Sequence, residues 1–399
     1  MTRVGVGTSS NRDGHVAGLE ASRMAFASLG GERAAVVVVL ATAGYAQEAL
    51  LGGVSEIFPG VPMSGCSAEG VITRTLSAES SHAVGVLAIA SADIRFDTRI
   101  VRGFAEDSAS AGRALARDIA GGCPDARLVV LFPEGISGNG TELVRELESH
   151  LPPQITIVGG TAGDLLNFQR TFQYHDGKVY SDSVAALVIS GEFDAEIAVT
   201  HGCDLVGAPR TITRAENGFV YAIDEIPAWD LFREYLDSDA ASLEALHVAH
   251  LLLAEHLPVS PTRLIDDFTV RVPVRLDSAN GALYFAAGLT NGTRVQIALR
   301  NADKVCERAV DAVRDIAARR PEETPLLVLQ LDCAGRGRLL LGEEVQDRLL
   351  TPMHRVFGET VPWFGMNTYG EIGPIDERLY FHNYTAVLCA LYPRRRSTP

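Results

Sequence analysis

Three short turns carry most of the residues that could do chemistry. They are Gly65-Cys66-Ser67-Ala68-Glu69-Gly70, Gly160-Thr161-Ala162-Gly163-Asp164 and Gly365-Met366-Asn367-Thr368-Tyr369-Gly370-Glu371. Each follows an apolar run, where glycine lets the backbone approach a ligand closely. Free N–H groups in such a turn, with the Ser67 hydroxyl, would suit a carboxylate or phosphate. A plain serine-capped β-turn has the same composition. In the third turn Asn367 replaces Ser67 and Glu371 replaces Val71, and Arg336 follows the neighbouring strand. An Arg fork and a carboxylate together suit the two ends of an amino acid. A structural Arg336–Glu371 pair is the alternative. The expected ligand-binding set is therefore Arg336, Asn367 and Glu371, with Cys333, His382 and Asn383 beside them. Cys66, Ser67, Gly160 and Thr161 form the scaffold or far wall.

Other chemistries fit less well. Gly65 to Gly70 resembles a G-x-S-x-G nucleophile elbow only superficially, because Glu69 precedes another apolar run and not a helix. A thiol beside Arg336 would gain reactivity, and Cys333 with His382 would make a nucleophile pair. A cysteine in an apolar strand is more often inert core. His247, His250 and His256 sit on an expected helix, where they suggest a metal or axial haem ligand, or simply a polar helix face. Gly5-Val6-Gly7 lacks the third glycine of a dinucleotide loop, and no Walker lysine is present.

The elements that position these turns repeat. The spacing predicts a strand at Ala34–Ala41, a helix at Gln47–Phe58, the first turn, then strands at Ala83–Ala90 and Ile94–Val101. The same order recurs as Leu128–Phe132, Gly138–His150, the second turn, Val184–Ile189 and Ala195–His201. It recurs again as Leu326–Leu331, Gly342–Phe357, the third turn and Tyr380–Leu391. The fold class expected is α/β (α+β): layered mixed β-sheets flanked by helices, with internally repeated strand–helix–strand–strand units. Between the second and third copies lie a strand or hairpin at Thr211–Tyr221, a helix at Pro227–Leu236 and a longer helix at Ala240–Leu257. Strands at Phe268–Leu276, Ala282–Ala287 and Arg294–Leu299 and a helix at Asp303–Arg319 follow, with hairpin turns at Asn280-Gly281 and Asn291-Gly292.

The 399 residues include 47% hydrophobic and 21% charged side chains, with a net charge of −15. Acidity on this scale argues against a general nucleic-acid surface and against docking on an anionic membrane. No apolar run approaches the ~20 residues of a membrane span, and the N-terminus has no signal-peptide core. The six cysteines form no C-x-x-C pair, which suits free thiols in a reducing compartment. A cytoplasmic location is expected.

These residues resemble the FIST family. GVGTSSNRDGHVAGLEA, SGCSAEGVI and VGGTAGD resemble its N-terminal module, while DCAGRG (Asp332–Gly337), YGEIGP (Tyr369–Pro374) and FHNYTAVL (Phe381–Leu388) resemble its C-terminal module. The resemblance implies modules at 1–205, holding two related repeats, and 206–399. It implies a stand-alone bacterial sensory protein that binds a small ligand, an amino acid or similar metabolite, and signals through a separate partner. Some family members are haem proteins that sense nitric oxide and act on a histidine kinase, so haem and a histidine kinase or other signalling protein stand as the implied cofactor and partner. A thiol- or carboxylate-dependent enzyme is the remaining alternative.

Overall fold

The computed structural model describes residues 2–79, 81–235, 251–258, 267–285 and 288–394. One unit occurs three times, with eight elements in the first two copies and nine, besides an insertion, in the third. The first copy is β1 Arg3–Ser9, α1 Gly14–Ser28, β2 Val36–Thr42, α2 Gln47–Ile57, β3 Met63–Ala68, β4 Gly70–Thr73, β5 Ser77–Ala78 and β6 Val84–Ala90. The second is β7 Ile94–Arg102, α3 Ser108–Gly122, β8 Ala126–Pro133, α4 Gly140–His150, β9 Thr156–Gly160, β10 Gln173–His175, β11 Lys178–Tyr180 and β12 Ser183–Gly191. The third begins with β13 Phe193–Thr200 and then takes an insertion. The inserted elements are β14 Cys203–Glu216, β15 Phe219–Ile223, β16 Ile226–Pro227, α5 Ala228–Arg233, β17 Leu251–His256, β18 Phe268–Arg271, β19 Pro273–Asp277, β20 Ala282–Phe285 and β21 Arg294–Arg300. It resumes with α6 Ala302–Arg319, β22 Leu327–Cys333, α7 Arg338–Leu341, α8 Thr351–Val356, β23 Trp363–Thr368, β24 Glu371–Ile375, β25 Arg378–His382 and β26 Ala386–Pro393.

The first helix of each unit starts on an Asx cap, as helix N-termini prefer. Asp13 accepts from Val16 N–H at 3.0 Å, Asp107 from Ser110 at 2.8 Å and Asn301 from Lys304 at 3.1 Å.

Each unit builds a six-stranded sheet, but not from its own strands alone. The orders are β1-β6-β2-β3-β10-β11, β7-β12-β8-β9-β24-β25 and β13-β26-β22-β23-β4-β5. The hairpin that follows each glycine corner therefore crosses to a neighbouring unit's sheet. β4–β5 joins the third sheet, β10–β11 the first and β24–β25 the second.

The three sheets turn one face toward a common core holding Val38, Leu40, Val130, Phe132, Leu329, Leu331 and Phe364. Their outer faces each bury a helix pair in a separate cluster: α1–α2, α3–α4 and α6 with α8. Parallel strands covered on both faces read as unbroken apolar runs, and all seven residues of β2 are buried.

The inserted strands form a further sheet, β18-β17-β21-β14-β15-β20-β19, with its own core around Ile212, Phe232, Leu253 and Ile297. The long helix expected at Ala240–Leu257 is not a helix at its C-terminal end. Leu251–His256 is a strand between β18 and β21. Its first four residues are fully buried, and a four-residue apolar run suits a covered strand as well as a helix. His247 and His250 lie outside the described residues. His256, on that strand, meets Gln296 Oε1 at 3.2 Å.

Candidate functional site

The corners owe their glycines to strand packing. Gly65 pairs with Val39, Gly159 with Leu131 and Gly365 with Gln330, equivalent positions of the three parallel pairs. A Cβ at Gly65 would lie 1.9 Å from Val39 O, and one at Gly365 2.1 Å from Gln330 O. The backbone groups expected to cradle an anion are spent within the fold. Ser67 N–H donates to Phe172 O at 2.8 Å and Glu69 N–H to Asn367 O at 3.0 Å. The Ser67 hydroxyl donates to Gly163 O at 2.8 Å and accepts from Phe172 N–H at 3.0 Å. Cys66 Sγ lies 3.5 Å from Met366 Sδ, and burial pushes its thiol up. Gly160 pairs with Glu371 across the β9–β24 ladder. Thr161 N–H donates to Gly370 O at 2.8 Å, while its hydroxyl is buried without a partner among the described residues.

Arg336 does not face Glu371. It follows β22 in a single 3-10 turn, and its Nε–H donates to Asp332 Oδ1 at 2.7 Å. The residue is 0% exposed. Neither Nη1 nor Nη2 has a hydrogen-bond partner among the described residues. Its positive charge pulls on the thiols of Cys203 on β14 and Cys306 on α6, although burial still holds Cys203 up at about 11. Arg336 thus sits at the seam between the inserted sheet and the threefold body, a usual place for ligand sites.

A buried polar chain leads away from it. Asp332 Oδ2 accepts from Gln330 Nε2 at 2.9 Å, and Gln330 Oε1 accepts from Trp363 Nε1–H at 2.7 Å. The Trp363 ring lies 4.5 Å from the ring of His354 on α8. Burial holds His354 down at about 4, with Arg74 adding to the effect, and its Nε2 has no partner among the described residues. The threefold repeat supplies an internal comparison. Register equates Gln330 with Val39 and Leu131, and Asp332 with Ala41 and Pro133. Two units close this strand–helix interface with apolar side chains, so the fold itself does not require the charge in the third.

Further acidic groups lie near Asp332. Glu79, just past β5, accepts from Arg338 N–H at 2.8 Å. Burial pushes its carboxyl up to about 7, and Glu69 and Asp332 add to the rise. Asn367 lies beside it: a Cβ at Gly70 would be 2.6 Å from both Asn367 Oδ1 and Glu79 Cγ. Burial also pushes the Glu69 carboxyl up, against hydrogen bonds from Tyr369 and Leu166. Perturbed carboxyls close to one another mark a functional-site candidate.

The remaining candidates hold the fold's own atoms. Glu371 accepts from the Thr368 hydroxyl at 2.7 Å and the Thr385 hydroxyl at 2.8 Å. Burial pushes it up to about 8, so it carries a proton at neutral pH. Its equivalent in the second unit is Gln173, whose Oε1 accepts from the Ser183 hydroxyl at 2.9 Å. A protonated Glu371 does the work of that amide. His382 is held down to about 3 by burial; its Nε2 meets Gly373 O at 3.0 Å and its Nδ1 the Thr269 hydroxyl at 3.2 Å. Asn383 Nδ2 donates to Tyr369 O at 3.3 Å. Burial pushes Cys333 up, and both His382 nitrogens are engaged elsewhere, so the two do not form a nucleophile–base pair.

Of the histidines that suggest a haem ligand, His247 and His250 lie outside the described residues and His256 meets Gln296. The apolar void between the sheets, lined by Leu40, Phe132, Leu187, Leu331 and Leu391, holds about 20 Å³, too little for a porphyrin.

Sequence reasoning gave no role to Gln330, Asp332, Trp363, His354 or Glu79. The polar Gln330 and Asp332 inside an apolar strand were the available signal.

The chain matches the FIST N domain over residues 35–226 and the FIST C domain over residues 228–374. It belongs to the FIST family. FIST domains are associated with sensing in signal transduction. This FIST protein is 26% identical over 392 residues to an uncharacterized protein of Mycobacterium tuberculosis, covering 96% of this chain and 98% of the relative. An uncharacterized protein of Mycobacterium bovis is 27% identical over 396 residues, at 96% and 97% coverage. Among solved structures, a chorismatase aligns over 98% of each chain with 10% identity and a TM-score of 0.35. A cyanuric acid hydrolase from A. caulinodans aligns over 48% of this chain and 71% of its own, with 11% identity and a TM-score of 0.29. Likeness at this level carries no functional argument. No described helix is long and apolar enough to cross a membrane.

Proposed function

We propose that this FIST protein is a sensory protein that binds an amino acid or similar small metabolite at Arg336 and passes its state to a separate partner, a histidine kinase or another signalling protein. The observation that carries this is the Arg336 fork, fully buried with two unpartnered nitrogens. A buried donor left unsatisfied costs about 1–3 kcal/mol, and more when charged. The two other units carry Val39 and Ala41, and Leu131 and Pro133, where this one carries Gln330 and Asp332, which supports a ligand role for the charged pair here. A guanidinium fork matches a carboxylate with two parallel hydrogen bonds. Glu79, next to Gly337, supplies an acceptor for an ammonium group.

Thermal melting against a panel of L-amino acids, simple carboxylates and inorganic phosphate tests the reading. The wild type is expected to be stabilised by at least one amino acid. Arg336→Lys keeps a charge for Asp332 but loses the fork, and should lose that stabilisation. Equal shifts in both proteins across the panel, or no shift at all, would overturn it.

A further inference from the structure

One connection breaks the threefold pattern. β3 reaches β4 through Glu69 alone, and β23 reaches β24 through Tyr369 and Gly370. β9 reaches β10 only after Thr161 through Phe172, a stretch of twelve residues. The same corner is closed twice with one or two residues, so the fold has no geometric need for the longer link.

That link is built to hold a defined shape. Leu165, Leu166 and Phe168 sit at φ of 63°, 57° and 50°, in the left-handed region that side chains resist. The Asp164 carboxylate organises the loop from inside, accepting from Phe168 N–H at 2.9 Å, Gln169 N–H at 2.7 Å and Arg170 N–H at 3.0 Å. Among the described residues, the hydrogen bonds from Asp164–Arg170 to the rest of the molecule converge on two side chains. Tyr369 Oη accepts from Leu166 N–H at 2.7 Å and Asp164 N–H at 3.1 Å. Glu69 Oε2 accepts from the same Leu166 N–H at 2.9 Å and lies 3.0 Å from the Tyr369 hydroxyl. The Phe168 ring stacks on Tyr369 at 4.9 Å while remaining 51% exposed. Glu69 and Tyr369 occupy the corner position of the first and third units, so the loop extends from the second corner onto the other two.

We propose that Leu165–Arg170 is a movable cover over the meeting point of the three corners, latched by Tyr369 and Glu69 and separable from the fold beneath it. Phe168 is then the handle: in the closed state it lies on Tyr369, and in the open state its whole ring is presented to solvent. A latch made of two corner side chains lets a rearrangement at either corner release the cover. This goes beyond the ligand reading of Arg336 and does not depend on it.

The test is hydrogen exchange of the full chain, followed by mass spectrometry without any added ligand. Tyr369→Phe removes the shared hydroxyl. Exchange across residues 164–170 should accelerate by at least about tenfold, while peptides from β2, β8 and β22 stay at wild-type rates. Unchanged exchange in the loop would overturn the latch. Acceleration that spreads into those strands would make Tyr369 a strut of the fold and overturn the cover. A second variant replaces Leu165–Arg170 by a short Gly-Ser linker and keeps Thr161–Asp164 and Thr171–Phe172, whose atoms bond Ser67, Pro133 and Glu134. It should fold with a cooperative transition; failure to fold would show that the loop belongs to the core.

Discussion

Asp332 holds Arg336 by one nitrogen only. The Nε–H···Oδ1 bond is 2.7 Å, and the outer two nitrogens of the guanidinium are buried with no hydrogen-bond partner among the described residues. A buried ion pair that loses one partner strands the other charge, while losing both leaves a merely apolar site. Asp332→Leu should therefore destabilise the protein by about 3–5 kcal/mol. The double variant Asp332→Leu/Arg336→Leu should recover most of that loss, moving the interface toward the apolar form of the other two units. Urea unfolding of the two variants compares them directly; equal losses would mean the pair is not isolated.

Glu371 and Gln173 are equivalent, which fixes a pH effect. Glu371 ionises near 4.5 when unfolded and near 8 when folded. Between those values the folded chain binds the extra proton, so stability falls as pH rises through the window and levels off above it. Glu371→Gln removes this dependence. The variant should match the wild type at the acid end and gain on it by up to about 1.4 kcal/mol per pH unit toward pH 8. A constant difference across pH 5–8 would contradict the raised carboxyl.

Gln330→Leu should cut the polar chain in the middle. It leaves the Trp363 indole N–H without its acceptor and Asp332 Oδ2 without its donor. The expected cost is about 2–4 kcal/mol, from two groups at 1–3 kcal/mol each with some relaxation. Emission from Trp363, read in a Trp229→Phe background, should shift with it. A protein of wild-type stability and spectrum would show that the chain is not formed.

Gly365→Ala should leave little folded protein. Its Cβ would sit 2.1 Å from Gln330 O, a backbone atom held in a parallel ladder. Soluble yield and far-UV circular dichroism read this outcome. Gly31→Ala meets nothing within 4 Å, although its φ of 89° adds strain, and should be far milder.

Much of the repeat was legible because its signals are local. β2, β8 and β22 are covered on both faces, so their apolar runs stand out, and the glycine of each corner is forced by the strand beside it. The crossing of the corner hairpins was not legible. β4 and β24 carry no residue that names a partner strand, and pairing with a distant unit is set by how three sheets close on one core. The Arg336 site was half legible. The arginine was visible, but its partner was expected across the sheet at Glu371. Strand alternation decides otherwise: Gln330 and Asp332 share the helix-facing side of β22, while Leu331 and Cys333 face the other way. The strand at Leu251–His256 was hidden because four buried apolar residues have no periodicity of their own.

The exchanged hairpins also set the order in which the molecule can be made. β4–β5 leaves the ribosome early, yet its partner β23 comes nearly three hundred residues later. At roughly 5–20 residues per second, that hairpin waits many seconds with an unpaired edge and a Val71-Ile72 pair that ends up wholly buried. The third sheet is a closing stitch between the two ends of the chain. A nascent chain stopped before β23 carries β4 without the strand it pairs with in the folded protein.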